Sequence, residues 1–132
     1  MLLNTALMCL AMNVYHEARS ENMMGKYAVA LVVMNRVEHD RFPDKVCKVV
    51  KQRRSKALHK CQFSWYCDGK SDNPHNQRAW AEAQLVARDV LEGTVDDFTN
   101  GALFYHATYV QPYWAASFTK TVAVGTHIFY SY

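Results

Sequence analysis

Apolar positions recur at helical spacing from the start of the chain. At about 100° per residue, Leu3, Ala6, Leu7, Leu10 and Val14 fall in one stripe, and Asn4 or Thr5 is placed to cap a helix reaching about Arg19. Glu17 lies in that stripe, between the directions of Ala6 and Leu10, so its carboxyl group is expected on the core side. After a break over 20–24, a second helix over about 25–37 carries Ala28, Val29, Leu31, Val32 and Val33, apolar almost all round, which suits the centre of a domain. Phe42 and Pro43 open a short helical piece over 44–52 with Val46, Val49 and Val50 on its buried side. The period then changes to two: Phe63 and Trp65 share one face of an expected strand over 62–66, ahead of the turn signal Asp68-Gly69. A helix over 77–92 follows, with Ala79, Ala83, Val86 and Val90 as its stripe and Gly93 as its stop. Toward the C-terminus aromatic residues crowd short extended pieces, and 122–124 with 127–130 form an expected hairpin around Gly125. The pattern predicts an α-rich α+β fold, one domain over 1–132, with a small antiparallel sheet at one end of the helices.

Composition narrows the classes. Of 132 residues, 50% are hydrophobic and 20% charged, the profile of one globular domain able to bury a core without staples. No apolar run nears the roughly 20 residues of a membrane span. Residues 1–12 are apolar but lack a basic n-region and a cleavage site, so they read as mature structure and no signal peptide is expected. The net charge is +3, and Lys48, Lys51, Arg53, Arg54, Lys56 and Lys60 lie in a stretch with no acid between Asp44 and Asp68. That cluster is either a solvated loop or a grip for an anionic polymer. No helix-turn-helix, zinc-finger or RNP pattern accompanies it, so nucleic acid is not the expected partner.

Glu17 carries the clearest chemistry. Removing a carboxyl group from water disfavours its ionised form and raises its pKa, which is what a general acid needs near neutral pH. The alternative is a structural pairing with Arg19 or Arg36. His16, His106 and His127 together with Cys61 and Cys67 are chemically suitable zinc ligands, but five residues separate the two cysteines, and neither a metal nor a cofactor is expected. Cys61 with Cys67 would close a small loop and Cys9 with Cys47 would join two helices; four cysteines leave the connectivity open.

The run Asn13-Val14-Tyr15-His16-Glu17-Ala18-Arg19-Ser20-Glu21, then Gly25, Asn35-Arg36-Val37, Phe42-Pro43 and Val46-Cys47, resembles the SleB and CwlJ family of cell-wall hydrolases. Cys61-Gln62-Phe63-Ser64-Trp65-Tyr66-Cys67-Asp68-Gly69, Ala79-Trp80, Tyr105-His106-Ala107-Thr108-Tyr109-Val110, Pro112-Tyr113-Trp114 and His127-Ile128-Phe129 continue the resemblance in the family's order over nearly the whole chain. It implies a lysozyme-like domain that cleaves peptidoglycan glycan strands between N-acetylmuramic acid and N-acetylglucosamine, with Glu17 as catalytic acid. Glu21 is assigned to structure, holding Arg19 or Arg36. Ser20 departs from the family's usual Gly: it can cap the following helix, but would be strained if the turn needs positive φ.

A two-carboxylate glycosidase needs a second acid about 5–9.5 Å from the first. Asp68 is the best candidate, although Asp-Gly is also an ordinary turn. One acid suffices if the muramic C6 hydroxyl attacks the anomeric carbon, and this lytic transglycosylation is the favoured reading; attack by water would make a muramidase. The resemblance places Gln62, Phe63 and Ser64 at the polar edge beside the acid. Tyr15, Trp65, Tyr105, Tyr109, Tyr113 and Trp114 are candidate faces for sugar rings, and His106 and His127 candidate hydrogen-bonding walls. A monomer is expected, made in a host cytoplasm and acting on the wall, as phage endolysins do. A germination or wall-remodelling enzyme and a noncatalytic wall-binding module are the other readings.

Overall fold

The computed structural model describes residues 2–132, with side chains described from Thr5 onward. The side chains of Leu3 and Asn4, two members of the expected first helix, lie outside the described residues. Four helices, α1 (Leu2–Ala18), α2 (Met23–Val37), α3 (Val46–Val50) and α4 (Gln77–Leu91), precede three strands, β1 (Phe104–Ala107), β2 (Thr119–Val124) and β3 (His127–Ser131). The backbone is already helical at Leu2, so Thr5 lies within α1 and does not cap it.

The expected stripe of α1 is buried: Leu10 and Val14 are at most 1% exposed. Helix α2 is the central one, as its all-round apolar surface predicts, and it touches α1, α3, α4 and β2. Val29, Val32 and Val33 of α2 and Val86 of α4 are all fully enclosed, each contributing roughly 1.5–3 kcal/mol by leaving water. The N-cap of α2 is Asn22, whose Oδ1 accepts from the Gly25 N–H at 2.9 Å, so Ser20 does not cap it. Nor is Ser20 strained: the non-glycine residues with positive φ among those described are His59 and Asn100. Asn76 caps α4 in the same way, through the Ala79 N–H.

One expected element is replaced. The strand over 62–66 is instead a 3-10 turn, Ser64–Cys67, beside a single bridge between Arg53 and Cys61. Cys61 and Cys67 are joined by a disulfide with Cα atoms 5.9 Å apart, whereas six extended residues would span roughly 20 Å. Extension and this crosslink exclude each other. The second disulfide, Cys9–Cys47, ties α1 to α3, so both pairings contemplated from the sequence are present.

The hairpin holds, and it gains a partner. Strand order is β1-β3-β2, antiparallel throughout. The register sets Phe104, Tyr130 and Lys120 side by side, with His106 beside Ile128. These residues share the outer face of the sheet. On the inner face Tyr105 pairs with the fully buried Phe129, which packs on Ala28 and Val32 of α2. No helix among the described residues is long and apolar enough to cross a membrane.

Candidate active site

Glu17 sits on the last turn of α1, half-buried, and meets the sheet through one short hydrogen bond: the Tyr105 hydroxyl donates to Oε1 at 2.5 Å. Burial raises the pKa of Glu17, and the opposing pull of the Tyr105 hydrogen bond and of the Arg36 charge does not reverse it. Tyr105 is held well above the ordinary phenol value, first by burial and then by the Glu17 carboxyl, so it stays protonated and keeps donating.

Arg36 is 3% exposed; its Nε donates to the Leu103 carbonyl at 2.8 Å and its guanidinium lies 5.0–5.6 Å from the ring centres of Phe42, Phe63 and Phe104. No ion pair joins it to Glu17 among the described residues, and Arg19 turns away to the Tyr15 hydroxyl at 3.0 Å. The structural pairing of Glu17 with either arginine is therefore not formed. Arg36 acts on Glu17 as a nearby charge.

Beside this pair opens a groove of about 250 Å³ lined by Arg36, Gln62, Phe104, Tyr105, Trp114 and Phe118. Glu17 does not line the groove itself; it adjoins it through its partner Tyr105. A larger hollow of about 500 Å³ lies on the outer face of the sheet, with His106, Tyr113, Lys120 and Tyr130 among its walls. Trp114 packs against both: its ring centre is 5.9 and 5.8 Å from Phe104 and Phe118, and 5.6 and 5.5 Å from His106 and Tyr130. His106 makes two hydrogen bonds of 2.8 Å, to the Ala107 carbonyl through Nδ1 and to the Tyr130 hydroxyl through Nε2. A carbonyl only accepts, so the proton is assigned to Nδ1 and, in the neutral ring, Nε2 accepts from Tyr130.

The structure sorts the candidate ligand residues into three groups. Gln62, Tyr105 and Trp114 converge on the groove, and His106 and Tyr113 on the hollow. Ser64 and Tyr109 are exposed and line neither, Tyr109 at 85%. Four others are walled in. Tyr15 is 1% exposed, its hydroxyl accepting from the Asn76 N–H; Phe63 lies against Arg36; Trp65 donates to Asn13 at 2.8 Å and stacks on His16. His127 is buried beside Glu21. Tyr15, Phe63 and His127 line neither depression, and Trp65 borders a separate small hollow with Met12 and Tyr66.

Two acids also find structural places. Asp68 Oδ1 accepts from the Lys70 N–H at 2.9 Å, closing the turn. Glu21 holds neither arginine; it accepts from the backbone N–H and the hydroxyl of Thr126 at 3.0 and 2.6 Å, pinning the α1–α2 turn to the β2–β3 turn. Burial works to raise the Glu21 pKa, but the Thr126 hydrogen bonds with His127 and Lys26 outweigh it and the net direction is down. His127 is lowered, chiefly by burial, so its 3.5 Å approach to Glu21 is not an ion pair at neutral pH. Among the described residues no three His, Cys, Asp or Glu side chains gather as a metal site. Arg36, Phe104 and Phe118 also line the groove without having been expected there; an arginine at the end of a largely apolar helix is the available signal for the first.

A family model described as Cell Wall Hydrolase matches residues 20–130. This chain belongs to that family. The matched span opens just after Glu17, and the comparisons with whole relatives extend further. The chain is 29% identical over 119 residues to a spore cortex-lytic enzyme of Oceanobacillus iheyensis and 30% identical over 121 residues to one of Halalkalibacterium halodurans, covering 88% and 91% of this chain. It spans only 38% and 33% of those relatives' lengths. The catalytic domain of the germination-specific lytic transglycosylase SleB from Bacillus anthracis superposes with a TM-score of 0.76 at 28% identity, over 96% of this chain and 93% of that one. The SleB catalytic domain of Bacillus cereus gives the same score and identity, over 97% and 91%. The SleB-type α+β fold implied by the resemblance is thus the fold of this hydrolase.

Proposed function

We propose that this cell wall hydrolase cleaves the β-1,4 bond between N-acetylmuramic acid and N-acetylglucosamine in peptidoglycan, acting as a lytic transglycosylase through Glu17. The observation that carries the reading is a carboxyl group whose hold on its proton is strengthened by burial, pinned through one oxygen by Tyr105, which itself lines an aromatic groove. Glu17 gives its proton to the glycosidic oxygen as the bond to the muramic anomeric carbon breaks. The C6 hydroxyl of the same sugar then bonds to that carbon and returns a proton to Glu17. The product is an anhydro sugar, no water is consumed, and the acid is restored.

The two acids weighed as partners for Glu17 are committed to structural hydrogen bonds, Asp68 to the Lys70 N–H and Glu21 to Thr126, which supports transglycosylation over the water-dependent muramidase route with its general base or nucleophile. The related B. anthracis domain bears the name of a lytic transglycosylase. The relatives also bear on setting: they are spore cortex-lytic and germination enzymes, so we take the substrate to be cortex-type wall; that the enzyme acts there as a monomer outside the cytoplasm is a further part of the proposal. None of them is a phage lysin, and that setting has no support here.

The test is product analysis by mass spectrometry with wild type and Glu17→Gln side by side on purified sacculi. Wild type should release fragments one water lighter than reducing ends. The Gln variant should lose activity by about 10²–10⁴-fold while still binding the wall. Reducing-end products would favour a muramidase, and full activity of the variant would remove the mechanism.

A further inference from the structure

We infer that the larger hollow on the outer face of the sheet receives the acidic stem peptide carried by the muramic residue, so that the enzyme reads the substituent as well as the sugar. The inference rests on the peptidoglycan reading above and adds a second binding locus to it. The sheet register builds the site: Lys120 of β2 lies directly opposite Tyr130 of β3, and His106 of β1 stands on the same face.

Charge comes first. Lys120 is the one charged residue in the lining, and neither its ammonium nor the Thr108 hydroxyl, the Gln111 amide or the Tyr113 hydroxyl has a side-chain partner among the described residues. His106 and Tyr130, by contrast, satisfy each other. The hollow therefore offers a ligand one cation and several uncommitted polar groups over an apolar floor. A neutral sugar has no use for the cation, whereas a stem peptide carries carboxylates, backbone carbonyls and small apolar side chains.

Size and position agree. The hollow is about twice the volume of the groove, 500 against 250 Å³, room for several peptide units. Trp114 lines the groove and packs against His106 and Tyr130, two walls of the hollow, with ring centres 5.6 and 5.5 Å away, so the two depressions adjoin. A muramic ring lying in the groove would thus project its lactyl-peptide arm past Trp114 toward Lys120, without needing a further sugar to bridge the gap.

The experiment uses Glu17→Gln protein, so that binding is read without turnover, and two probes: soluble glycan strands bearing their stems, and the same strands after an amidase has removed them. Stem-bearing strands should bind about tenfold more tightly, a margin that shrinks with added salt. Lys120→Gln in that background should erase most of the margin and leave stripped strands unchanged, while Lys120→Arg keeps it. In the active enzyme Lys120→Gln should raise KM on stem-bearing strands and leave kcat unaltered. Equal affinity for the two probes would overturn the inference, as would an equal loss on both, which would make the hollow a sugar site. Cleavage by the Glu17→Gln protein would count against the catalytic reading alone, because stem preference is measured separately.

Discussion

At Glu17 two physical effects compete, and their order sets the chemistry. Burial raises the pKa, the Tyr105 hydroxyl and Arg36 both favour the ionised form, and burial prevails. Removing the hydroxyl with Tyr105→Phe takes away a lowering influence, so the Glu17 pKa should rise further. The alkaline limb of the kcat/KM profile should move to higher pH, while the maximum falls about tenfold because the carboxyl is no longer aimed. Glu17→Gln has a matching signature in stability. A carboxyl whose folded pKa exceeds its ordinary 4.5 binds more protons folded than unfolded, so wild-type stability declines as pH rises through that interval. Melting curves should show the Gln variant more stable than wild type at pH 8, with the difference closing below about pH 4. Glu17 was legible because helical periodicity alone puts it in an apolar stripe. Tyr105 as its donor was not, since nothing local links residues 88 positions apart.

At the scale of elements, the helices were written in their spacing, and the four observed ones fall within a few residues of the apolar patterns. The segment 62–66 was not, because alternation cannot reveal a crosslink that folds its ends together. The join between helices and sheet was also hidden. Glu21 fills the space left by two glycines: a Cβ on Gly25 would come within 2.9 Å of the Glu21 Cβ, and one on Gly125, at φ +57°, within 2.6 Å of its Oε1. Gly125→Ala should therefore cost about 2–3 kcal/mol in urea unfolding, combining left-handed backbone strain with the collision. The lowered pKa of Glu21 means this join contributes above the ordinary carboxylate range and weakens as pH falls through the lowered value.

For the molecule as a whole, the disulfide Cys9–Cys47 spans 38 residues and couples the helix bearing Glu17 to the one preceding the basic loop. Closing a loop of that length stabilises by about 4 kcal/mol in the chain-entropy view. Treatment with a reductant should lower the melting temperature by roughly 10–15 °C, monitored by circular dichroism, and the change should reverse on reoxidation. Family membership was legible at this scale because many spaced blocks fix it. The division of the surface into a groove and a hollow on either side of Trp114 was not, because it depends on sheet register and on how the 108–117 segment folds back.

The hydroxyl that aims Glu17 comes from β1, on the far side of every helix in the chain order. Until the sheet docks, that glutamate lacks both its donor and the burial that raises its pKa. Under the proposed mechanism a half-made or clipped copy should therefore be inert toward sacculi, and potency should arrive only with the completed fold.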